Sequence, residues 1–156
     1  MTGSVDKARA HIKELQQFAE STPFQFTDLI SASQELQAFG YRVEQIKPLL
    51  TAIGDAIAAT GDITKEKLDR VTLAFGEMQS AGRLNARQVL QLTEAGIPAW
   101  ELLAKAIGRS VDETRKLSEA GRLKGPEAAQ AIAAMIELPS SQGDGTAFEH
   151  LYGPPQ

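Results

Sequence analysis

Apolar residues recur along most of the chain at steps of three and four residues, the spacing that places side chains on one side of an α-helix. Capping residues precede most of these stripes, and glycine or proline follows most of them. The β-branched residues are scattered rather than grouped, which also favours helices. Eight such segments occupy the chain up to Leu138. The pattern predicts an all-α fold, a compact multi-helix domain of about eight helices with short turns punctuated by glycine and proline.

The first stripe is narrower than the others. Ser4 is the predicted cap of a helix that stops before Pro23. Its apolar positions follow heptad spacing for about two repeats, a pattern typical of a helix that faces another helix. These positions are Val5, Ala8, Ile12, Leu15 and Ala19. We expect this helix to fold back onto its own domain or to self-associate weakly with the same helix of another copy.

The next two helices carry distinctive glycine and proline residues. Thr27 is the predicted cap of the second helix, and Gly40 stands where a left-handed C-terminal cap belongs. In the third helix, Pro48 interrupts a regular stripe. This helix begins either near Gln45, with Pro48 in its first turn, or at Arg42, with a bend at the proline, and we prefer the later start. Gly54 is expected to let another helix approach closely.

The second half of the chain repeats its start and stop signals. The fourth helix is expected to open at Asp62 or Thr64. Three glycines are predicted to form Schellman-type stops: Gly82, Gly96 and Gly121. Two capping boxes are predicted, Asn85 with Gln88 and Ser110 with Glu113, and Pro98 and Pro126 suit the first helical position. The run Ala-Gly-Arg-Leu occurs at 81–84 and 120–123, which hints at two related helical hairpins.

These signals divide the chain into three parts. Residues 1–20 form a heptad-like helix, residues 21–138 a compact helical domain, and residues 139–156 a flexible C-terminal tail. Pro139 ends the last helix, and the Ser, Gln, Gly and Asp residues after it are typical of a linker.

The charge of the chain argues against several classes of function. Sixteen basic and twenty acidic residues give a net charge of −4, so binding to nucleic acid through its phosphates is not expected. One basic cluster exists, but three interleaved acids reduce its net charge to +2. Its members are Arg109, Arg115, Lys116, Arg122 and Lys124. The chain has no cysteine, no secretory signal and no apolar run long enough for a membrane span.

No residue pattern indicates catalysis, a metal site or a cofactor. His11 and His150 lack partners at metal-ligand spacing, so both are expected at the solvated surface. Adjacent acids stand in early helical turns, where the helix dipole favours them. Glycine motifs for phosphate binding are absent. Trp100 is expected to be a central packing residue.

Four blocks, in this order, resemble the characteristic region of tape measure proteins from tailed bacteriophages. They are FAESTPFQF at 18–26, LQAFG at 36–40, IGDA at 53–56 and QVLQLTEAGIP at 88–98. A looser likeness extends to about residue 136. The chain is shorter than the long helical rulers of that family, so we expect a fragment or a shortened prophage copy, and residues 1–4 read as a vector-derived start.

The resemblance implies a structural role in the phage tail. Tape measure proteins occupy the tail lumen, set tail length and help to assemble the tail tube. The partners that the resemblance implies are other tail proteins, namely tube, chaperone or tip components. The expected location is the virion tail, and the host bacterial cytoplasm during assembly. No catalytic residues are inherited, so the chain is not expected to be an enzyme. The residues expected to matter for structure or interaction are Val5, Ile12, Leu15, Pro23, Phe24, Phe26, Phe39, Gly40, Gly54, Gly96, Pro98 and Trp100.

Two other functions stay open at this point. A generic helical adaptor would bind a partner helix in an exposed apolar groove. A piece of a tail-associated lytic enzyme would carry a catalytic glutamate in a polar cleft or a metal-binding histidine pair.

Overall fold

The computed structural model describes residues 2–138, with side chains from Val5 onward. This part of the chain forms eight α-helices and no strand, which confirms the all-α prediction. They are α1 (Thr2–Glu20), α2 (Phe26–Ala38), α3 (Val43–Thr60), α4 (Lys65–Ala81), α5 (Ala86–Glu94), α6 (Ala99–Ile107), α7 (Val111–Glu119) and α8 (Gly125–Glu137). The predicted tail at 139–156 lies outside the described residues.

Helix α4 is the centre of the domain, because it packs against α2, α3, α5 and α8. Four of its apolar residues, which recur at steps of three and four, are buried completely or almost so: Leu68, Val71, Phe75 and Met78. Each large apolar side chain buried in this way contributes roughly 1.5–3 kcal/mol. The remaining helices surround this core: α1 covers α2 and α3, while α6 joins α7 to α8.

Two predicted helix starts are wrong. Helix α1 begins at Thr2, so Ser4 lies inside it, and α2 begins at Phe26, so Thr27 lies in its first turn. Gln25 takes the extended conformation of a capping residue but makes no side-chain capping bond. Phe26 packs against the core at this point. The start of α2 therefore coincides with the packing of Phe26 on the core, and no hydroxyl side chain caps the helix there.

Helix α3 has the earlier of the two starts considered, so the preference for a start near Gln45 is wrong. It begins at Val43, and Pro48 occupies its sixth position. The first turn closes ahead of the proline, because the Arg42 N–H donates to Gln45 Oε1 at 2.8 Å and the Gln45 N–H donates to the Arg42 carbonyl at 2.9 Å. Pro48 lacks the N–H that would bond to the carbonyl of Glu44, which is an exposed residue.

The later helix starts agree with the sequence except at the prolines. Thr64 Oγ1 accepts the Lys67 N–H at 3.1 Å and caps α4. Both predicted capping boxes are present, at Asn85 with Gln88 and at Ser110 with Glu113. Pro98 stands at the cap of α6, and Pro126 is the second residue of α8, so neither takes the first helical position.

Left-handed glycines end several helices as predicted. At Gly96 the glycine N–H donates to Thr93 O and the Ile97 N–H donates to Leu92 O, both at 2.9 Å, which is the complete Schellman pattern. Gly40 and Gly121 show the same pair of bonds.

The stop at Gly82 is different. Its φ is +79°, but the backbone that follows pairs with the second copy of the Ala-Gly-Arg-Leu run. The Leu84 N–H donates to Leu123 O at 2.9 Å, and the Gly125 N–H donates to Gly82 O at 3.0 Å. Arg83 in the first copy and Lys124, the residue just after the second copy, therefore form an antiparallel bridge. Helices α4 and α5 do pack together, but α7 packs mainly against α6 rather than α8, so the repeat does not mark two alike hairpins.

Candidate interaction surfaces

Helix α1 binds the domain through a face centred on a buried histidine. His11 is 7% exposed, so the expectation that it lies at the surface is wrong. Its Nε2 lies 2.7 Å from Ser33 Oγ on α2, and its Nδ1 lies 3.5 Å from Glu14 Oε1. Because Ser33 on α2 offers a hydrogen-bond partner, the imidazole of His11 can occupy a buried position where an apolar side chain would be expected. The spacing of residues within α1 alone does not reveal this pairing. His150, the other histidine, lies outside the described residues.

The predicted seam of α1 is split between two environments. Leu15 is fully buried and Ala19 half-buried, whereas Val5 and Ile12 are 51% and 44% exposed and Ala8 is exposed. At 100° per residue, the buried face lies roughly a quarter turn away from the exposed apolar residues. We call Val5, Ala8 and Ile12 the α1 stripe. Folding back onto its own domain was one of the two arrangements expected for α1, and it is the one seen here. The α1 stripe is exposed among the described residues.

The turn between α1 and α2 places one aromatic side chain against α3. Phe24 is buried, and its Cε2 lies 3.8 Å from the position that a Cβ on Gly54 would take. That distance is ordinary contact, so Gly54 faces a ring and not a closely approaching helix, contrary to expectation. Phe26 is half-buried against the core, and Pro23 is exposed.

Two close approaches occur at glycines that the sequence analysis did not single out. A Cβ on Gly76 would lie 2.1 Å from Cδ2 of Phe39, so the phenyl ring occupies the place of a side chain on α4. A Cβ on Gly125 would lie 2.0 Å from the carbonyl oxygen of Met78. Both glycines read in the sequence as ordinary helical residues, and only the packing of a second element makes them necessary.

Trp100 packs against the edge of the core and also lines an open groove, so it is a packing residue but not the central one that was predicted. It is half-buried, and the guanidinium carbon of Arg115 lies 5.5 Å from the ring centroid, a cation–π distance. Residues of α5 and α7 form the two sides of this groove, which we call the Trp100 groove, and both helices pack against α6. Its volume is about 670 Å³, and its lining includes Leu84, Arg87, Leu90, Thr93, Ser118 and Glu119.

A second groove, between α3 and α8, is apolar and ends at a carboxyl pair. Tyr41, Pro48, Leu49, Ala129 and Ala133 are among its lining residues, and its volume is about 360 Å³. A hydrogen bond with Asp55, together with burial and repulsion from that acid, raises the pKa of Glu137 to about 7. Burial also raises the pKa of Tyr41, whose hydroxyl donates to the Phe75 carbonyl at 2.9 Å.

Within residues 2–138, no three His, Cys, Asp or Glu side chains stand close enough together to hold a metal ion. None of the helices described here is long and apolar enough to cross a membrane.

Comparison with known proteins supplies the context for this helical domain. The family model "Tape measure protein" matches residues 1–144. The chain is 27% identical over 139 residues to the Mu-like prophage FluMu protein gp42 of Haemophilus influenzae, an alignment that covers 88% of this chain and 21% of that protein. No solved structure matches the chain significantly.

The comparisons place this helical domain among the tail proteins of bacteriophages. The chain belongs to the tape measure protein family, which confirms the resemblance of residues 18–98 to that family. It spans about a fifth of the length of the curated relative that it matches.

Proposed function

We propose that this domain is a folded assembly module of a tape measure protein, which contributes to tail length determination and to assembly of the tail tube. The match of a tape measure model over residues 1–144 carries the proposal. The proposed partners are other tail proteins of the tube, chaperone or tip class. The proposed location is the virion tail, after assembly in the host cytoplasm.

The α1 stripe is the contact that we propose for assembly with a neighbouring helix. Val5 and Ile12 are exposed although the same helix buries Leu15 and His11 in its own domain. An apolar helix face that the fold leaves uncovered favours pairing with another helix. Because only three side chains form the stripe, self-association should be micromolar or weaker.

Sedimentation velocity tests this contact. The double variant Val5→Glu/Ile12→Glu should stay monomeric at concentrations at which the parent chain associates, because it places charges in the stripe. Leu15 is unsuitable for this test because it is fully buried in the domain core. Ile63→Glu is a matched control, since Ile63 is 42% exposed and lies in the turn between α3 and α4.

A parent chain that is monomeric at its highest soluble concentration would refute self-association through α1. The tail role is tested separately in the phage or prophage that encodes the chain. There the double variant should reduce the number of complete tails seen by electron microscopy, and the Ile63→Glu control should not. Normal tails in normal numbers from the double variant would contradict an assembly role for the stripe.

We also propose that the domain acts without catalysis. The residues shared with the family pattern are turn-formers and apolar anchors, such as Gly40, Phe24 and Phe39, and they support packing rather than proton transfer. Incubation of the purified chain with peptidoglycan tests this point. Release of soluble fragments would favour the lytic alternative.

A further inference from the structure

The Trp100 groove presents a second contact surface, with different chemistry from the α1 stripe. We propose that this groove binds a short segment of a partner protein in which an aliphatic side chain is flanked by carboxylates. The inference goes beyond the proposed function, because it assigns a ligand chemistry to α5–α7 and does not depend on self-association through α1.

The apolar part of the groove is an exposed leucine beside a half-exposed tryptophan. Leu90 is 53% exposed, although its neighbours Val89 and Leu92 on α5 are fully buried. Arg87, Leu90 and Thr93 stand three residues apart and all line the groove, so one side of α5 faces it. A single exposed leucine is ordinary on a protein surface, but a leucine and a tryptophan that line one concave site are typical of a contact that anchors a partner side chain.

The charged part of the groove favours a carboxylate. Arg87 on α5 and Arg115 on α7 line the groove from its two sides. Neither arginine forms an ion pair with any other residue of the described chain. Arg115 is held over the ring of Trp100 instead. Among the described lining residues Glu119 is the one acid, so the groove is locally positive in a chain of net charge −4. Arginine binds carboxylates through paired hydrogen bonds, which suits an acidic partner.

The same residues favour a protein segment over a nucleic acid. Arginine and tryptophan side chains also bind single strands through phosphate contacts and base stacking. Here, however, the aliphatic Leu90 offers no stacking surface, and the Glu119 carboxylate would face the phosphates. A volume of about 670 Å³ accommodates a few side chains, as a peptide anchor requires.

The groove contains its own spectroscopic probe, because Trp100 is the only tryptophan of the sequence. The experiment is a titration of the full chain with a synthetic peptide of alternating aspartate and leucine, followed by Trp100 emission. We expect a saturable change with an affinity in the micromolar range that weakens as salt is added. Leu90→Glu and the double variant Arg87→Gln/Arg115→Gln should each weaken binding by about tenfold or more. Arg122→Gln, an exposed arginine outside the groove lining, is the matched control and should bind as the parent does.

Affinities are compared rather than emission intensities, because removal of the Arg115 cation itself changes the surroundings of the indole. The helicity and melting temperature of each variant are measured first, to show that it is folded. Leu90→Glu should leave the fold intact because Leu90 is largely exposed. The proposal is overturned by an unchanged emission up to the solubility limit of the peptide. Equal binding of the matching lysine and leucine peptide, tighter binding of an oligothymidylate, or equal weakening in Arg122→Gln would overturn it as well. Each of these failures would leave the tail-assembly proposal untouched.

Discussion

The phenyl ring of Phe39 occupies the space that a side chain at Gly76 would fill. The ring belongs to the C-cap residue that follows α2, and the glycine lies inside α4, so the contact fixes how closely the two helices approach. Helix interiors normally disfavour glycine by about 1 kcal/mol relative to alanine. The close approach of the ring offsets that cost at this position.

Gly76→Ala should therefore destabilise the domain. A Cβ at 2.1 Å from Phe39 Cδ2 must displace the ring, and overpacking of this kind typically costs about 1–3 kcal/mol, which exceeds the gain in helix propensity. Urea denaturation measures the change in the free energy of unfolding. Gly54→Ala is the matched control, because its Cβ would lie 3.8 Å from Phe24 and should leave stability unchanged or raise it by up to about 1 kcal/mol. Equal effects of the two substitutions would contradict the packing described.

Gly125→Ala should be more damaging than Gly76→Ala. The nearest atom to the added Cβ is the backbone oxygen of Met78 at 2.0 Å, and a backbone carbonyl inside α4 cannot rotate away as a ring can. Relief requires α8 to move from α4, which also strains the bond from the Gly125 N–H to Gly82 O. The melting temperature should fall further than in Gly76→Ala. A smaller fall would show that the start of α8 shifts easily.

Gly96→Val should destabilise by roughly 1–2 kcal/mol through its positive φ alone. A Cβ at this position would also lie 2.9 Å from Thr60 Cγ2. Gly61→Val separates the two causes, because Gly61 has a φ of +80° but nothing within 4 Å of its Cβ position. Thermal denaturation should show the larger loss for Gly96→Val. Equal melting temperatures for Gly96→Val and the parent would count against the left-handed turn.

The carboxyl pair at the end of the α3–α8 groove should make stability depend on pH. The pKa of Glu137 in the folded chain is raised from 4.5 to about 7, so between these values the folded state holds more protons than the unfolded state. The contribution of Glu137 to the free energy of unfolding therefore falls as pH rises from 4.5 to about 7.

Glu137→Gln removes this titration and should stabilise the chain relative to the parent above pH 7, with the difference fading towards pH 4.5. Urea denaturation across that range measures the effect. Glu127→Gln, an exposed glutamate on the same helix, controls for a general change in net charge. A constant difference between Glu137→Gln and the parent at all pH values would exclude the coupling to Asp55.

The sequence predicts the helices well because their signals are local. Helical stripes, capping boxes and glycine stops each depend on residues within a few positions of one another, as at Asn85 with Gln88 or at Gly96 with Ile97. The start of α2 was missed because Gln25 makes no side-chain capping bond and Phe26 packs against the domain core. The preferred start of α3 was wrong because Gln45 closes an earlier first turn through two bonds with the backbone of Arg42.

The surfaces could be predicted only in part, since exposure depends on which elements meet. Spacing alone places Leu15 and Ile12 on one seam of α1. In the folded domain α2 and α3 cover Leu15, whereas Ile12 remains exposed to solvent. The burial of His11 depends on a serine 22 positions away. Trp100 has the size of a core residue, but α5 and α7 leave its ring beside an open groove.

The bridge between Arg83 and Lys124 gives the chain a closed loop. Residues 84–123 start and end at one point, where the Leu84 N–H meets Leu123 O, and between these ends α5 packs on α4 and α6 packs on α8. Segments whose two ends already touch are the ones that tolerate replacement, because a substitute of another length must span no new distance. In these three helices the replaceable positions are the exposed ones, because Leu92 and Leu103 are buried in the domain core. Exposed residues of the Trp100 groove, such as Arg87 and Leu90, can therefore change without moving the two ends of the loop or the packing of α5 on α4 and α6 on α8.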